Sequence, residues 1–182
     1  MALNVAGRLT FALSCAERML PNYRRFVREN DWGDPLVLRE ALDLGWSWLE
    51  NHRISSDAAR RLRDACFEQA PHTEDFSSIL VSSALDAANS AANIAELLIE
   101  PDVEKAVEIA SYGRDTVDMY VQELEDMPPN APDLEERIRR HEMMQRELTR
   151  QREAIEAIEA GIQPEDAARR WLSPELGSID SH

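Results

Sequence analysis

Apolar residues recur at intervals of three and four along most of the chain, which is the spacing of amphipathic helices. This pattern predicts a first helix over residues 4–20. Proline disfavours helical geometry at the residue before it and suits the first turn of a helix, so a second, short helix is predicted from Pro21. Asp34 and Pro35 supply an N-cap and a fixed φ. They predict a third helix that runs to about Asn51.

The same periodicity predicts five further helices, and proline residues mark most of the boundaries between them. No segment alternates apolar and polar residues with a period of two, so we expect no sheet. The sequence therefore predicts an all-α, single-domain bundle of about seven to eight helices. The five further helices are expected over residues 56–70, 76–99, 102–126, 133–161 and 164–172.

The chain of 182 residues is long enough to bury its own core without disulfides or metals. We expect residues 1–172 to form one helical domain. Within it the core spans 4–127, a long charged helix spans 132–161 and a short helix spans 164–172, and a flexible tail follows over 173–182. The apolar seam of the long charged helix is interrupted by polar residues, which favours packing along the bundle over a coiled-coil dimer.

Charge is distributed unevenly along the chain. The net charge is −15, and residues 71–130 carry thirteen acidic residues against Lys105 and Arg114. Such a field repels DNA, RNA and anionic lipid, so we expect no nucleic acid and no membrane, and it permits a protein partner, including a basic protein or a second copy of this chain. No apolar run is long enough for a bilayer and no export signal is visible, which predicts a cytoplasmic protein. The two cysteines, Cys15 and Cys66, are expected to be buried thiols.

Known catalytic and metal-binding motifs are missing from the sequence. Di-iron bundles need Glu-x-x-His on two helices, and no histidine here has an acidic residue three positions before it. His141-Glu142 resembles the start of a zincin helix, but position 145 is Gln. There is no Gly-rich phosphate loop. We therefore expect no metal and no cofactor, and the catalytic residues stay unassigned.

Asp86 lies within an otherwise uncharged run from 76 to 94. It belongs to a polar stripe on the predicted fifth helix, together with Ser83, Ser90 and Asn93. A poorly solvated carboxylate there would have a raised pKa and could act as a general acid or base. The structural alternative is that Asp86 faces water or bonds a helix cap or an arginine.

Several short motifs follow one another in a recognisable order. Segment 11–23 reads FALSCAERMLPNY, followed by WGD at 32–34 and LDLGW at 42–46. ALDA at 84–87 and AVE at 106–108 complete the pattern. In this order the motifs resemble those of the YjaG-like family of uncharacterised bacterial proteins.

That resemblance implies an all-α fold and no particular activity, because the family is a domain of unknown function. Its motif singles out Glu17, Arg18, Asn22 and Tyr23 as polar positions with either a functional or a structural role. On the residues alone, the Pro-Asn-Tyr corner is more typical of helix packing than of substrate binding.

The leading functional hypothesis is a non-enzymatic helical module that binds another protein or a second copy of this chain. One alternative is a small-molecule-binding protein or enzyme with an interhelical pocket around Asp86 and Glu17. Another is an acidic nucleic-acid mimic that captures a basic protein. A pocket lined by Asp86 would favour the first alternative.

Overall fold

The computed structural model describes residues 3–172 and 177–179. Within these residues the fold is all-α, as predicted, with eight α-helices, one short 3-10 helix at Thr73–Asp75 and no strand. No described helix combines the length and the apolarity that a membrane-spanning segment requires. The α-helices are α1 Val5–Asn30, α2 Pro35–Asn51, α3 Ser56–Glu68, α4 Val81–Ile99, α5 Val103–Leu124, α6 Leu134–Arg140, α7 Glu142–Glu159 and α8 Pro164–Trp171.

Helix α4 lies at the centre of the bundle and packs against α1, α2, α3 and α5. Its buried face consists largely of alanines, including Ala84, Ala88 and Ala92, which are fully buried. Small side chains let four neighbouring helices approach one central helix closely. Helix α7 packs against α1 and α5, so the charged C-terminal region belongs to the same bundle.

Helix α1 continues through Pro21, so the predicted break into two helices is wrong. Proline in a helix interior removes one backbone hydrogen bond and usually costs about 3 kcal/mol. Here both sides of Pro21 are held by buried residues, among them Leu20, Tyr23 and Phe26. Tertiary packing of this long apolar face therefore outweighs the local preference of proline.

Helix α4 begins at Val81, five residues later than predicted. Phe76 instead has an extended backbone, with φ −132° and ψ 133°. Its ring packs against Phe26 at 5.1 Å and Trp32 at 5.4 Å between ring centroids. This aromatic contact keeps the segment before Val81 out of the helix.

The predicted long helix over 133–161 is divided at His141 into α6 and α7. His141 is extended, with φ −62° and ψ 139°, and its Nδ1 accepts a hydrogen bond from the Met143 amide at 3.3 Å. The histidine therefore serves as the N-cap of α7. The division turns Met143 and Met144 into the core.

Residues 177–179, which the sequence assigns to a flexible tail, are buried against α1. The Ser178 amide donates to the Arg18 carbonyl at 2.9 Å, and Ile179 is only 2% exposed. The rest of the predicted tail, 173–176 and 180–182, lies outside the described residues. The short buried segment follows the polar residues of the tail, which is why composition alone predicts it to be loose.

Candidate functional site

Glu17 lies in the interface between α1 and α2 and is fully buried. Its two carboxylate oxygens each accept a hydrogen bond of 2.7 Å from the Arg39 guanidinium. The indole Nε1 of Trp46 donates a further bond of 2.8 Å. A bidentate arginine and an indole give this carboxylate three hydrogen bonds from α2, so Glu17 connects two helices.

Arg18, the next residue, forms a second buried ion pair with Glu147 of α7. The Nη2–Oε1 distance is 2.7 Å, and the two side chains are 8% and 1% exposed. Glu147 Oε1 also accepts from Gln151 Nε2 at 2.9 Å, and Gln151 donates to the Ala110 carbonyl at the same distance. This network joins α1, α5 and α7.

Asn22 and Tyr23 form internal contacts at the middle of α1. Asn22 Nδ2 donates to Ser178 Oγ at 2.8 Å, and the Tyr23 hydroxyl donates to the Gln69 carbonyl at 2.9 Å. Burial raises the pKa of the Tyr23 phenol well above its usual range. The Gln69 side chain in turn accepts from the Asp34 amide at 2.8 Å. The motif residues therefore hold the α1–α2 corner and the C-terminal segment in place.

Asp86 is half-buried where α4 meets α5. Its Oδ2 accepts a hydrogen bond of 2.8 Å from the hydroxyl of Thr116, a residue that is 1% exposed. Burial, with a smaller contribution from the nearby Asp115, raises the pKa of Asp86 to about 7, although the hydrogen bond from Thr116 lowers it. The donor is thus a hydroxyl rather than the arginine or helix cap that the sequence suggests.

Asn93 lies two turns further along α4 on the same side. Its Nδ2 donates to Glu108 Oε2 at 3.1 Å, and the same oxygen accepts from Lys105 Nζ at 3.0 Å. Because α4 and α5 run antiparallel, the pairs Asp86–Thr116 and Asn93–Glu108 mark one continuous line of contacts. We call this line the α4–α5 seam.

Tyr112 lies between the two pairs of the seam, one helical turn from Thr116 and one from Glu108. Burial raises the pKa of its phenol, and the acidic side chains of Glu108 and Asp86 raise it further. The sequence analysis missed Tyr112 and Thr116. Residues 108, 112 and 116 are spaced by four, which places them on one side of a helix. The sequence does not show that this side faces α4.

The structure does not bring Glu17 and Asp86 together, because the first faces α2 and the second faces α5. The residues of the predicted polar stripe on α4 do not form one site either. Ser83 donates back to the Leu80 carbonyl at 2.8 Å, and Ser90 contacts the sulfur of Met19 at 3.6 Å. Among the described residues no three His, Cys, Asp or Glu side chains are placed to hold a metal ion.

A cleft of about 540 Å³ lies at the beginning of α1, and neither Glu17 nor Asp86 lines it. Gly7 and Thr10 of α1, Leu49 of α2 and the end of α7 line it, together with Ile162. Thr10 already donates to the Ala6 carbonyl at 2.8 Å, and Asn4 caps α1 through the Gly7 amide. Asn4 and Thr10 therefore serve the local helix.

The solvent-facing side of α5 has a distinctive composition. Val107 and Met119 are 58% and 42% exposed there. Acidic residues lie between and beside them at helical spacing. We call this surface the outward face of α5; its members are Glu104, Val107, Glu108, Ser111, Asp115, Asp118 and Met119.

Comparison with known proteins places this architecture in a family. The family described as a protein of unknown function, DUF416, matches residues 1–176. The uncharacterised protein YjaG of Escherichia coli is 30% identical over 115 residues, which cover 61% of this chain and 57% of that protein. An uncharacterised protein of Haemophilus influenzae is 28% identical over 116 residues, or 63% of this chain and 59% of its own length.

The matches to these curated relatives thus span less than two thirds of their length. A crystal structure of a DUF416 family protein from Shewanella baltica OS155 superposes with a TM-score of 0.86 and 25% identity, covering 98% of this chain and 93% of that one. The resemblance to the YjaG-like family is confirmed. None of these descriptions names a reaction or a ligand.

Proposed function

We propose that this chain, a member of the DUF416 family of proteins of unknown function, is a helical module that binds a basic segment of another protein. The outward face of α5 is the surface assigned to that segment. The observation that carries the proposal is the exposure of Val107 and Met119 among four acidic residues of this face.

The chemistry of this face suits a basic, amphipathic partner. Exposed apolar side chains provide area that is removed from water on binding, and methionine adapts to irregular partner surfaces. Acidic side chains around them attract cationic residues and raise the rate of encounter. Glu104 and Asp115 are exposed and form no ion pair within the described residues, so both can take a cationic group from a partner.

The motif residues do not compete with this proposal, because the described contacts of Glu17, Arg18, Asn22 and Tyr23 are internal. They build the scaffold that presents α5. We infer a cytoplasmic location as part of the same proposal, since Cys15 and Cys66 are buried free thiols, as is usual in a reducing compartment.

The proposal is tested by charge reversal on the outward face of α5. The test variant is Glu104→Arg/Asp115→Arg, and the matched control is Glu50→Arg/Glu68→Arg, which changes two exposed acids on α2 and α3. Each protein is used to capture partners from a lysate of the native host at low and high salt. The basic protein that the wild type enriches most is then purified and titrated directly against all three.

We expect binding that weakens with salt, an affinity reduced at least about tenfold by the test variant, and an effect below about twofold in the control. An equal loss in both variants would mean that net charge alone drives the association. No loss in the test variant would place the partner on another surface. Either outcome rejects the outward face of α5 as the binding site.

A further inference from the structure

The α4–α5 seam lies directly beside the outward face of α5. Glu108 belongs to both, because it accepts a hydrogen bond from Asn93 of α4 and is also one of the acids of the outward face. Asp115 of the outward face precedes Thr116, whose hydroxyl donates to Asp86 at 2.8 Å. A charge that arrives on the outward face beside Asp115 therefore acts on Asp86 as well.

The carboxylate of Asp86 is half-buried at the seam. It forms no ion pair in the part of the chain that the structure describes, and its hydrogen-bond donor is the neutral hydroxyl of Thr116. Loss of water without a cation in its place disfavours the ionised form of a carboxyl group. Burial and the charge of Asp115 accordingly raise the pKa of Asp86 to about 7, so its charge changes near neutral pH.

The titratable groups that face Asp86 come from α5. Burial raises the pKa of the Tyr112 phenol, and the charge of Asp86 contributes to the rise. Burial also raises the pKa of Asp115, which Arg114 lowers and Asp118 raises. Two acids against one arginine leave this stretch of α5 negative, so an added cation would stabilise the ionised form of Asp86.

The charged groups of the other elements around α4 have different positions or partners. Arg63 of α3 pairs with Glu96, at the opposite end of α4 from its start at Val81. Glu17 of α1 takes its counter-ion from α2. The 3-10 helix Thr73–Asp75 contributes two exposed acids and no cation. The charge of Asp86 is therefore governed by α5.

We propose that a proton on Asp86 controls how tightly the outward face of α5 binds its basic partner. The inference rests on the proposed function, because the partner supplies the cation. A cationic side chain bound at Asp115 stabilises the ionised carboxylate of Asp86, so binding releases a proton. By linkage, loss of that proton strengthens binding, and the affinity rises with pH through about 7.

The probe is a labelled synthetic peptide of lysine and leucine, about 14 residues long, with leucine at helical spacing. Its termini are blocked, and lysine keeps its charge between pH 6 and pH 8, so the peptide itself does not titrate. Affinity is measured at both pH values and equal ionic strength. The proteins are the wild type, Asp86→Asn and the matched control Asp57→Asn, which removes one exposed charge from α3.

We expect the wild type and Asp57→Asn to bind the peptide about threefold to tenfold more tightly at pH 8 than at pH 6. In Asp86→Asn the change should stay below about twofold. Carbon NMR of the Asp86 carboxyl group gives a second readout in the wild type, because saturating peptide should move its titration to lower pH by at least about 0.5. An unmoved titration, or equal rises in the wild type and Asp86→Asn, overturns the inference.

The charge-reversal variant Glu104→Arg/Asp115→Arg separates this inference from the proposed function. If the peptide occupies the outward face of α5, its affinity for this variant should fall at least about tenfold at both pH values. Undiminished binding, or no binding by the wild type, rejects the outward face and this inference with it. Lost binding here, combined with equal rises in the wild type and Asp86→Asn, retains the surface and rejects only its control by Asp86.

Discussion

At the scale of single residues, two neighbouring side chains of α1 form ion pairs with two different helices. Glu17 pairs with Arg39 of α2, and Arg18 pairs with Glu147 of α7. Consecutive helical residues point about 100° apart, so adjacent positions reach different neighbours. A buried pair gains little over a well-packed apolar pair, but removing one partner leaves a buried charge alone.

Glu147→Gln should therefore lower the free energy of unfolding by about 3–5 kcal/mol, because Arg18 stays buried without its counter-charge. Glu29→Gln is the matched control. Glu29 forms a pair with Arg25 in which the side chains are 47% and 37% exposed, and its loss should cost at most about 0.5 kcal/mol. Urea denaturation of both variants measures the difference. Equal midpoints would show that the buried pair contributes no more than a surface one.

The titration of Asp86 makes the free energy of unfolding of the whole protein depend on pH. Burial raises its folded-state pKa to about 7, whereas the unfolded chain loses this proton near pH 4. Between these values the folded state binds more protons, so the stability contribution of Asp86 is complete below about pH 4 and is lost as pH rises through 7.

Asp86→Asn removes this titration while keeping an oxygen that can accept the bond from Thr116. Relative to wild type, we expect the variant to gain about 1–2 kcal/mol in unfolding free energy between pH 5 and pH 9. Asp57→Asn, at an exposed position, should show no such gain. The measurement is the urea midpoint across this pH range. Parallel curves for Asp86→Asn and wild type would contradict the raised pKa.

At the scale of helices and turns, the connection from α1 to α2 depends on Gly33. Its φ is 91°, and an added Cβ would collide with the hydroxyl of Tyr23. That hydroxyl is held by its hydrogen bond to the Gln69 carbonyl and cannot move away without losing it. Gly161 after α7 has a similar φ of 85°, but a Cβ there would meet nothing within 4 Å.

Comparing alanine substitutions at Gly33 and Gly161 therefore separates the cost of positive φ from the cost of steric collision. Gly161→Ala should cost about 1 kcal/mol, the penalty of positive φ alone. Gly33→Ala should cost about 2–4 kcal/mol, because the collision adds to that penalty. Thermal unfolding of the two variants gives the comparison. A Gly33→Ala loss no larger than that of Gly161→Ala would mean that Tyr23 moves freely.

The sequence predicted helices where local signals agree with tertiary packing. The Asp34 cap followed by Pro35 begins α2 as expected. At Pro21 and at Phe76 long-range packing decides the outcome, whereas at His141 a local N-cap divides the helix. Periodicity describes which face is apolar, but it does not show which neighbour that face meets.

For the candidate site, the sequence likewise indicated some residues but not their partners. The isolation of Asp86 in an uncharged segment was visible in the sequence, and so was the Glu17-Arg18 motif. Their partners were not, because Glu147 lies 129 residues from Arg18 and Thr116 lies 30 residues from Asp86. Pairings of that kind depend on the register between helices, which one sequence does not contain.

At the scale of the whole molecule, the charge distribution follows the architecture. Seven of the thirteen acidic residues of 71–130 lie on α5 and in the loop that follows it, and α7 carries five acidic residues against three arginines. The two helices, which pack against each other, are therefore both net acidic.

The segment 177–179 packs against the middle of α1. Ile179 is 2% exposed and belongs to the hydrophobic core, and Ser178 is bonded to both Asn22 and the Arg18 carbonyl. Ile179→Ala should lower the free energy of unfolding by about 2–4 kcal/mol, because it removes buried methylene and methyl groups and leaves a cavity.

Leu172→Ala is the control for that experiment, because Leu172 is also near the C-terminus but is 46% exposed. Its loss should change stability by no more than about 0.5 kcal/mol. Urea denaturation separates the two descriptions of the C-terminus: a loose tail predicts two near-neutral substitutions, and a docked segment predicts a large loss only at Ile179. Because Ser178 donates to the carbonyl of Arg18, loosening the segment should also weaken the Arg18–Glu147 pair. The combined variant Ile179→Ala/Glu147→Gln should therefore cost less than the sum of the two single losses.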